Sequence, residues 1–275
     1  MRNINIPILM YHALVGERND TLNKVHITVE TFKQEMQWLS DNGYQTISLD
    51  EIPGAFNRND PHAKYCIITF DDGYYSLYQH AMPVLQQYNF SATLFLTTII
   101  TGEKDFSLLK GIDPDSLPAN DRPLTWDEIR EMSTKGWEIQ SHSLDHADHG
   151  NLTEKELQRQ VTQSKRIIEE QLKKPVLHYA FPFGKYNRQA LKAVKEAGYI
   201  TTCSVHTGLA DINSDIYRLP RLEMNCNDVI SSFSRKIMDG FTSKTEKLKA
   251  SVRNLLFASP VIKDLSKKII GERMN

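Results

Sequence analysis

Cysteine is scarce. Cys66, Cys203 and Cys226 are the only three in 275 residues and form no C-x-x-C pair, which excludes a disulfide framework and a cysteine-built zinc site and leaves reduced structural thiols. Long apolar runs are missing as well. No stretch reaches the roughly 18 apolar residues of a membrane span, and the N-terminus Met-Arg-Asn-Ile-Asn-Ile-Pro has no secretory h-region or cleavage site. The chain as written is therefore expected to be cytoplasmic, or extracellular where a leader has been removed. Bulk charge of one sign is also lacking, with 33 Lys and Arg against 34 Asp and Glu and a net charge of -1, so polyanion recognition by the whole molecule, nucleic acid included, is excluded. With 40% hydrophobic and 24% charged residues, the composition is that of an ordinary folded chain with room for one large core.

What is present is alternation. Short apolar runs and amphipathic helical patterns follow one another, the signature of an α/β protein with a largely parallel sheet. Strands are expected at Ile4 to Leu14, Tyr44 to Leu49, Cys66 to Phe70, Ser91 to Thr97, Trp137 to Ser141, Val176 to Phe181 and Tyr199 to Val205. Thr28 to Asn42 reads as a helix with Phe32, Met36 and Leu39 on one face and Gly43 as its stop. Ser76 to Tyr88 and Ala190 to Ala197 read as further helices, and the capping boxes Thr125-Trp-Asp-Glu128 and Thr153-Glu-Lys-Glu156 open two more. Thr101 to Pro123, rich in Gly, Pro and Asp, is expected to be a long surface loop that helps to form a groove. Several strands end in polar residues, which places a site at the C-terminal mouth of a parallel barrel.

Charge is divided along the chain. Residues 228–275 hold ten Lys or Arg and five Asp or Glu, a local +5 that leaves -6 on the preceding 227. A domain of residues 1–227 is expected, followed by a basic extension, 228–275, of one or two amphipathic helices broken at Pro260. The extension either packs on or trails the domain, or makes peripheral contact with an anionic membrane surface or a partner.

Two clusters carry chemistry. Asp71 and Asp72 close the Cys66 strand before Gly73. In an extended chain they project to opposite sides, one able to bind a cation while the other faces a substrate, although an acidic turn has the same sequence. His142 and His146 stand at the spacing that puts two imidazoles on one face of a helical turn. One Asp with two His makes an open metal site with positions left for water and substrate. Asp145 and His149 read as solvated loop residues; Trp126, Trp137 and Tyr186 are either sugar-stacking or core aromatics.

Thr69-Phe-Asp-Asp-Gly73, Ser141-His-Ser-Leu-Asp-His146 and Phe181-Pro-Phe-Gly184, followed by Lys185-Tyr-Asn187, stand in the order and approximate spacing of the polysaccharide deacetylase family, carbohydrate esterase family 4. The chain resembles this family from about Ile8 to Met224. The resemblance implies a distorted (β/α) barrel, and hydrolysis of N-acetyl groups from N-acetylhexosamine residues, commonly N-acetylglucosamine, of a glycan with release of acetate. It assigns Asp72, His142 and His146 to a divalent metal, zinc first with cobalt or nickel as alternatives. It makes Asp71 the general base towards the attacking water, and gives the backbone N–H of Phe183 to the oxyanion.

Two family features are missing. The third motif reads Tyr179-Ala-Phe-Pro-Phe-Gly184 without the arginine that orients the base, and no Leu-x-His motif follows Gly208 to supply an acid. Ile8-Leu-Met-Tyr-His12, however, resembles the subgroup of poly-N-acetylglucosamine deacetylases whose barrel is circularly rearranged. By that resemblance His12 is the acid and Arg221, in Leu219-Pro-Arg-Leu222, returns an arginine to the base. The alternatives are an O-acetyl esterase built on the same site and a catalytically silent glycan-binding domain.

Overall fold

The computed structural model describes residues 4–57, 62–243 and 245–251. Chain order gives β1 (Ile8–Tyr11), β2 (Leu14–Val15), β3 (Ile27–Thr28), β4 (Tyr44–Thr46), β5 (Lys64–Asp72), β6 (Ala92–Leu96), β7 (Trp137–Ser141), β8 (His178–Ala180), β9 (Thr201–Cys203) and β10 (Leu222–Glu223). The helices are α1 (Val29–Asp41), α2 (Ile52–Asn57), α3 (Met82–Gln87), α4 (Trp126–Thr134), α5 (Glu154–Leu172), α6 (Arg188–Glu196) and α7 (Ile230–Asp239).

The main sheet has the order β10-β1-β5-β6-β7-β8-β9, all parallel, with β4 taking the first stretch of the β5 edge that β1 then continues. The sheet curls. Segment 216–223 bonds β9 at its start, where the Leu219 N–H donates to the Thr202 carbonyl at 2.9 Å, and pairs with β1 at its end through Leu222 opposite Leu9. Wrapped by its helices, this is the curled parallel half-barrel of the expected (β/α) architecture.

Alternation along the strands divides the core. Leu9, Tyr11, Cys66, Ile68, Phe70, Leu94 and Leu96 pack outward against the helices, while Ile8, Ile67, Phe95, Ala180, Cys203 and Leu219 form the second cluster, enclosed by the curl. The helices begin where hydroxyls meet free N–H groups: Thr28 caps α1, and Thr125 and Thr153 form complete capping boxes on α4 and α5.

Two elements depart from the expectation. The helix expected at 76–88 is a π-type turn, Leu77–Ala81, continued by α3. The short helix α2 was not foreseen, because Pro53 and Gly54 mask its period. The first part of the basic extension packs on the domain, one of the two courses expected for it: α7 buries Phe233 and Ile237, Phe233 meets Trp38 of α1 edge-on at 5.7 Å, and Lys236 pairs with Asp228 at 2.6 Å. Apolar side chains at that spacing were shared with the core and not reserved for another surface. Pro260, and the helices expected around it, lie outside the described residues. No described helix is long and apolar enough to cross a membrane.

Candidate active site

The β5 alternation that sends Ile67 inward sends Asp71 inward too, at the strand's C-terminal end. Asp72 would then face outward, but its φ of 76° turns the chain, and both carboxylates line one cavity of about 410 Å³. The expected opposite projection is therefore corrected by the backbone. His142 and His146 reach the same cavity from the loop after β7, which is not helical: Ser143 and His146 have φ of 77° and 63°, and the Ser143 hydroxyl accepts from the His146 N–H at 2.9 Å. Their convergence comes from left-handed residues rather than from a helical period, a costly conformation outside glycine.

Asp72, His142 and His146 present ligand atoms all within 4.8 Å of one another. His146 Nε2 lies 3.4 Å and His142 Nε2 3.8 Å from Asp72 Oδ1. That oxygen is buried and takes no hydrogen bond from the protein. The opposite ring nitrogens are tied to backbone: His142 Nδ1 lies 2.9 Å from the Ala180 carbonyl, and His146 Nδ1 lies 3.1 Å from that of Lys110. A carbonyl accepts only, so each Nδ1 carries a proton and each Nε2 is the nitrogen turned towards Asp72. Burial lowers the His142 pKa to about 4 despite the nearby Asp71 and Asp72, so the ring is neutral at pH 7. An orphaned carboxylate oxygen with two imidazole Nε2 atoms turned towards it fits a divalent metal.

Arg221 is 2% exposed and grips Asp71 with both arms of its fork, Nη1 to Oδ1 at 2.7 Å and Nη2 to Oδ2 at 2.8 Å. Its remaining bonds run to the Ser204 carbonyl and the Thr69 hydroxyl, both at 3.3 Å. Burial alone would raise the Asp71 pKa; the charge and hydrogen bonds of Arg221 reverse this and hold the carboxyl well below the usual range. His12 lines the same cavity from the end of β1, half-buried, with its ring 6.4 Å from that of His26. Phe183 sits in the turn Pro182–Gly184 with φ 56°, its ring 4.4 Å from His146. Gly184 allows that turn to close: a Cβ there would stand 2.2 Å from Val205.

All seven expected site residues thus meet in one cavity. The reading of Asp145 and His149 as solvated loop residues fails, and of the two readings of the three aromatics the core one holds. Asp145 is buried, bonded by Lys110, Arg159 and Gln160, and His149 is fully buried with Nε2 2.7 Å from the Tyr179 hydroxyl. They brace the ligand loop from behind because their partners lie on distant elements that local sequence does not display. Trp137 and Tyr186 are buried core aromatics, and Trp126 packs partly buried against the core. Sequence reasoning missed His26, buried in the cavity wall, and the Lys110 carbonyl; a backbone atom leaves no signal in side-chain composition.

A parallel half-barrel with an Asp-His-His cluster and a buried Asp–Arg pair at its C-terminal mouth defines a metal-assisted hydrolase. The chain belongs to the polysaccharide deacetylase family, whose sequence pattern matches residues 58–202. YxkH of Bacillus subtilis is 30% identical over 221 residues, covering 80% of this chain and 71% of that protein. A poly-β-1,6-N-acetyl-D-glucosamine N-deacetylase of Staphylococcus epidermidis is 25% identical over 221 residues, 78% of this chain and 73% of that one. The solved structure of Streptococcus pyogenes deacetylase PplD in complex with acetate superposes with a TM-score of 0.70 at 26% identity, over 82% of this chain and 95% of that one. The family's enzymes use a divalent metal, and Asp72, His142 and His146 stand close enough together to hold one.

Proposed function

We propose that this protein removes acetyl groups from N-acetylglucosamine residues of a glycan and releases acetate, with Asp72, His142 and His146 holding zinc, or cobalt or nickel in its place. When bound, the metal polarises the acetyl carbonyl and makes the attacking water more acidic. Asp71 takes the proton of that water, and the two-armed Arg221 contact keeps its carboxylate ionised and aimed. His12 gives a proton to the departing amine, and the N–H of Phe183, in its left-handed turn, donates to the oxyanion.

The observation that carries this reading is convergence: the buried Asp71–Arg221 pair, the three candidate ligands and His12 share one cavity of about 410 Å³. Relatives named poly-β-1,6-N-acetyl-D-glucosamine N-deacetylases, at 24–25% identity over most of this chain, support the choice of sugar. The test is acetate release by the metal-loaded protein from β-1,6-linked N-acetylglucosamine oligomers, compared with acetylated xylan. Release from the oligomers is expected. Release from xylan alone would make the protein an O-acetyl esterase, and release from neither would leave a glycan-binding domain.

The +5 carried by residues 228–275 supports peripheral contact with an anionic membrane surface. The full chain should sediment with anionic vesicles and lose that property when Lys263, Lys267 and Lys268 are replaced by Gln.

A further inference from the structure

The cavity is larger than an acetamido group fills. Away from Asp71 and Asp72, part of its wall comes from segments outside the strand ladders: 22–26 contributes Asn23 and Val25, 112–117 contributes Ile112 and Leu117, and Asn225 follows β10. A wall of this kind has no ladder to hold its backbone, and each buried carbonyl needs a donor from elsewhere.

Segment 22–26 joins the other two. The Asn23 N–H donates to the Ser116 carbonyl at 3.0 Å, and the Cys226 N–H donates to the Lys24 carbonyl at 2.8 Å. Within the segment the His26 N–H donates to the Asn23 carbonyl at 3.1 Å and the Val25 N–H to Asn23 Oδ1 at 3.3 Å, the Leu22 N–H donates to Asn19 Oδ1 at 3.1 Å, and one long side chain ties these turns together. Arg18 donates from Nη2 to the Leu22 carbonyl at 3.1 Å, and from Nη1 to the carbonyls of Asn23, at 3.0 Å, and His26. Its planar fork gathers three carbonyls that no strand serves, which a lysine ammonium, a point charge on a flexible stem, cannot reproduce. Arg18 does not itself line the cavity, and the candidate ligands are held by strand ends and by the Ala180 and Lys110 carbonyls, none of them in 22–26.

We propose that Arg18 is a positioning residue that determines specificity for extended glycans: by clamping 22–26 between 112–117 and 225–226, it fixes the wall on which sugar units beyond the reacting one rest. It governs the affinity for a chain of sugars and leaves the chemistry at Asp71 untouched. The inference rests on the glycan reading above.

The test uses the full, metal-loaded chain and two substrates, a β-1,6-linked N-acetylglucosamine tetramer and p-nitrophenyl acetate, which presents an acetyl group without a glycan. Arg18→Gln should raise KM for the tetramer about tenfold, equivalent to losing one well-placed contact, with kcat held within about twofold. Its constants on p-nitrophenyl acetate should match those of the unaltered protein, and Arg18→Lys should recover part of the lost affinity. An unchanged tetramer KM, or an equal loss on both substrates, would overturn the proposal, the latter showing a merely structural role. If Arg18→Gln yields no folded protein, Arg18→Lys decides on the same comparison, an intermediate rise in KM confined to the tetramer being the supporting result. An unaltered protein that cleaves p-nitrophenyl acetate but not the tetramer would remove the glycan reading, and this proposal with it; an active one with a variant of normal KM removes this proposal alone.

Discussion

The barrel buries a histidine near a carboxylate at both ends of β8, and only one end is a reactive site. At the mouth, His142 has Nδ1 fixed by the Ala180 carbonyl, leaving Nε2 to face Asp72, whose Oδ1 no protein donor satisfies. At the opposite end, His178 is equally buried, with Nδ1 2.8 Å from the Thr201 hydroxyl and Nε2 3.2 Å from Asp50, whose side chain is 49% exposed. Burial lowers both histidines to about 4, so pKa does not distinguish them. Backbone strain and the exposure of the carboxylate do. Asp72, Ser143, His146 and Phe183 are four of the six described non-glycine residues with positive φ, whereas Asp50, His178 and Thr201 have none. A carboxylate left short of donors in a cavity by a strained backbone can take a ligand; one bathed in solvent is already served.

The comparison can be broken in order of expected effect. Asp72→Ala should abolish metal binding and lower acetate release by roughly three orders of magnitude or more, read by metal analysis and turnover together. Asp71→Asn should keep the metal yet lose about 10²–10⁴ in kcat, as expected for a general base; near-normal turnover would remove that role from Asp71. Arg221→Met strands a buried charge and should cost about 3–5 kcal/mol in denaturant unfolding, much of it restored when Asp71→Asn is added.

The smallest effect belongs at the other end. His178→Gln should leave kcat within about twofold of normal and alter the acid limb of stability instead. Between pH 6.5 and about 4 the unfolded chain binds a proton that folded His178 refuses, so stability is present above that window and falls as pH drops through it. The slope is up to about 1.4 kcal/mol per pH unit, and the variant should flatten it. A turnover defect in His178→Gln comparable to that of Asp71→Asn would erase the distinction between the two ends.

Local signals were legible in the sequence where the physics is local. Thr125 and Thr153 cap helices because a hydroxyl three positions from a free N–H suffices. The resemblance placed Asp71, Asp72, His142 and His146 together, and the structure brings them to one cavity, although the helical spacing invoked for the histidines is not how they meet. Asp145 and His149 were misread as solvated, because a buried polar residue resembles an exposed one until its partners on α5 and β8 are in place. Arg18 escaped notice for the same reason: its partners are carbonyls, which every residue has.

The contact between Arg221 and Asp71 spans 150 positions of chain. During synthesis, β5 through β9 can emerge and pair before residue 221 exists, but closing the curl over an uncompensated Asp71 would cost several kcal/mol. The same arginine that aims the carboxylate therefore sets a sequence of events. The nascent barrel is penalised for sealing early, and its reactive mouth reaches final form only as the last strand of the sheet leaves the ribosome.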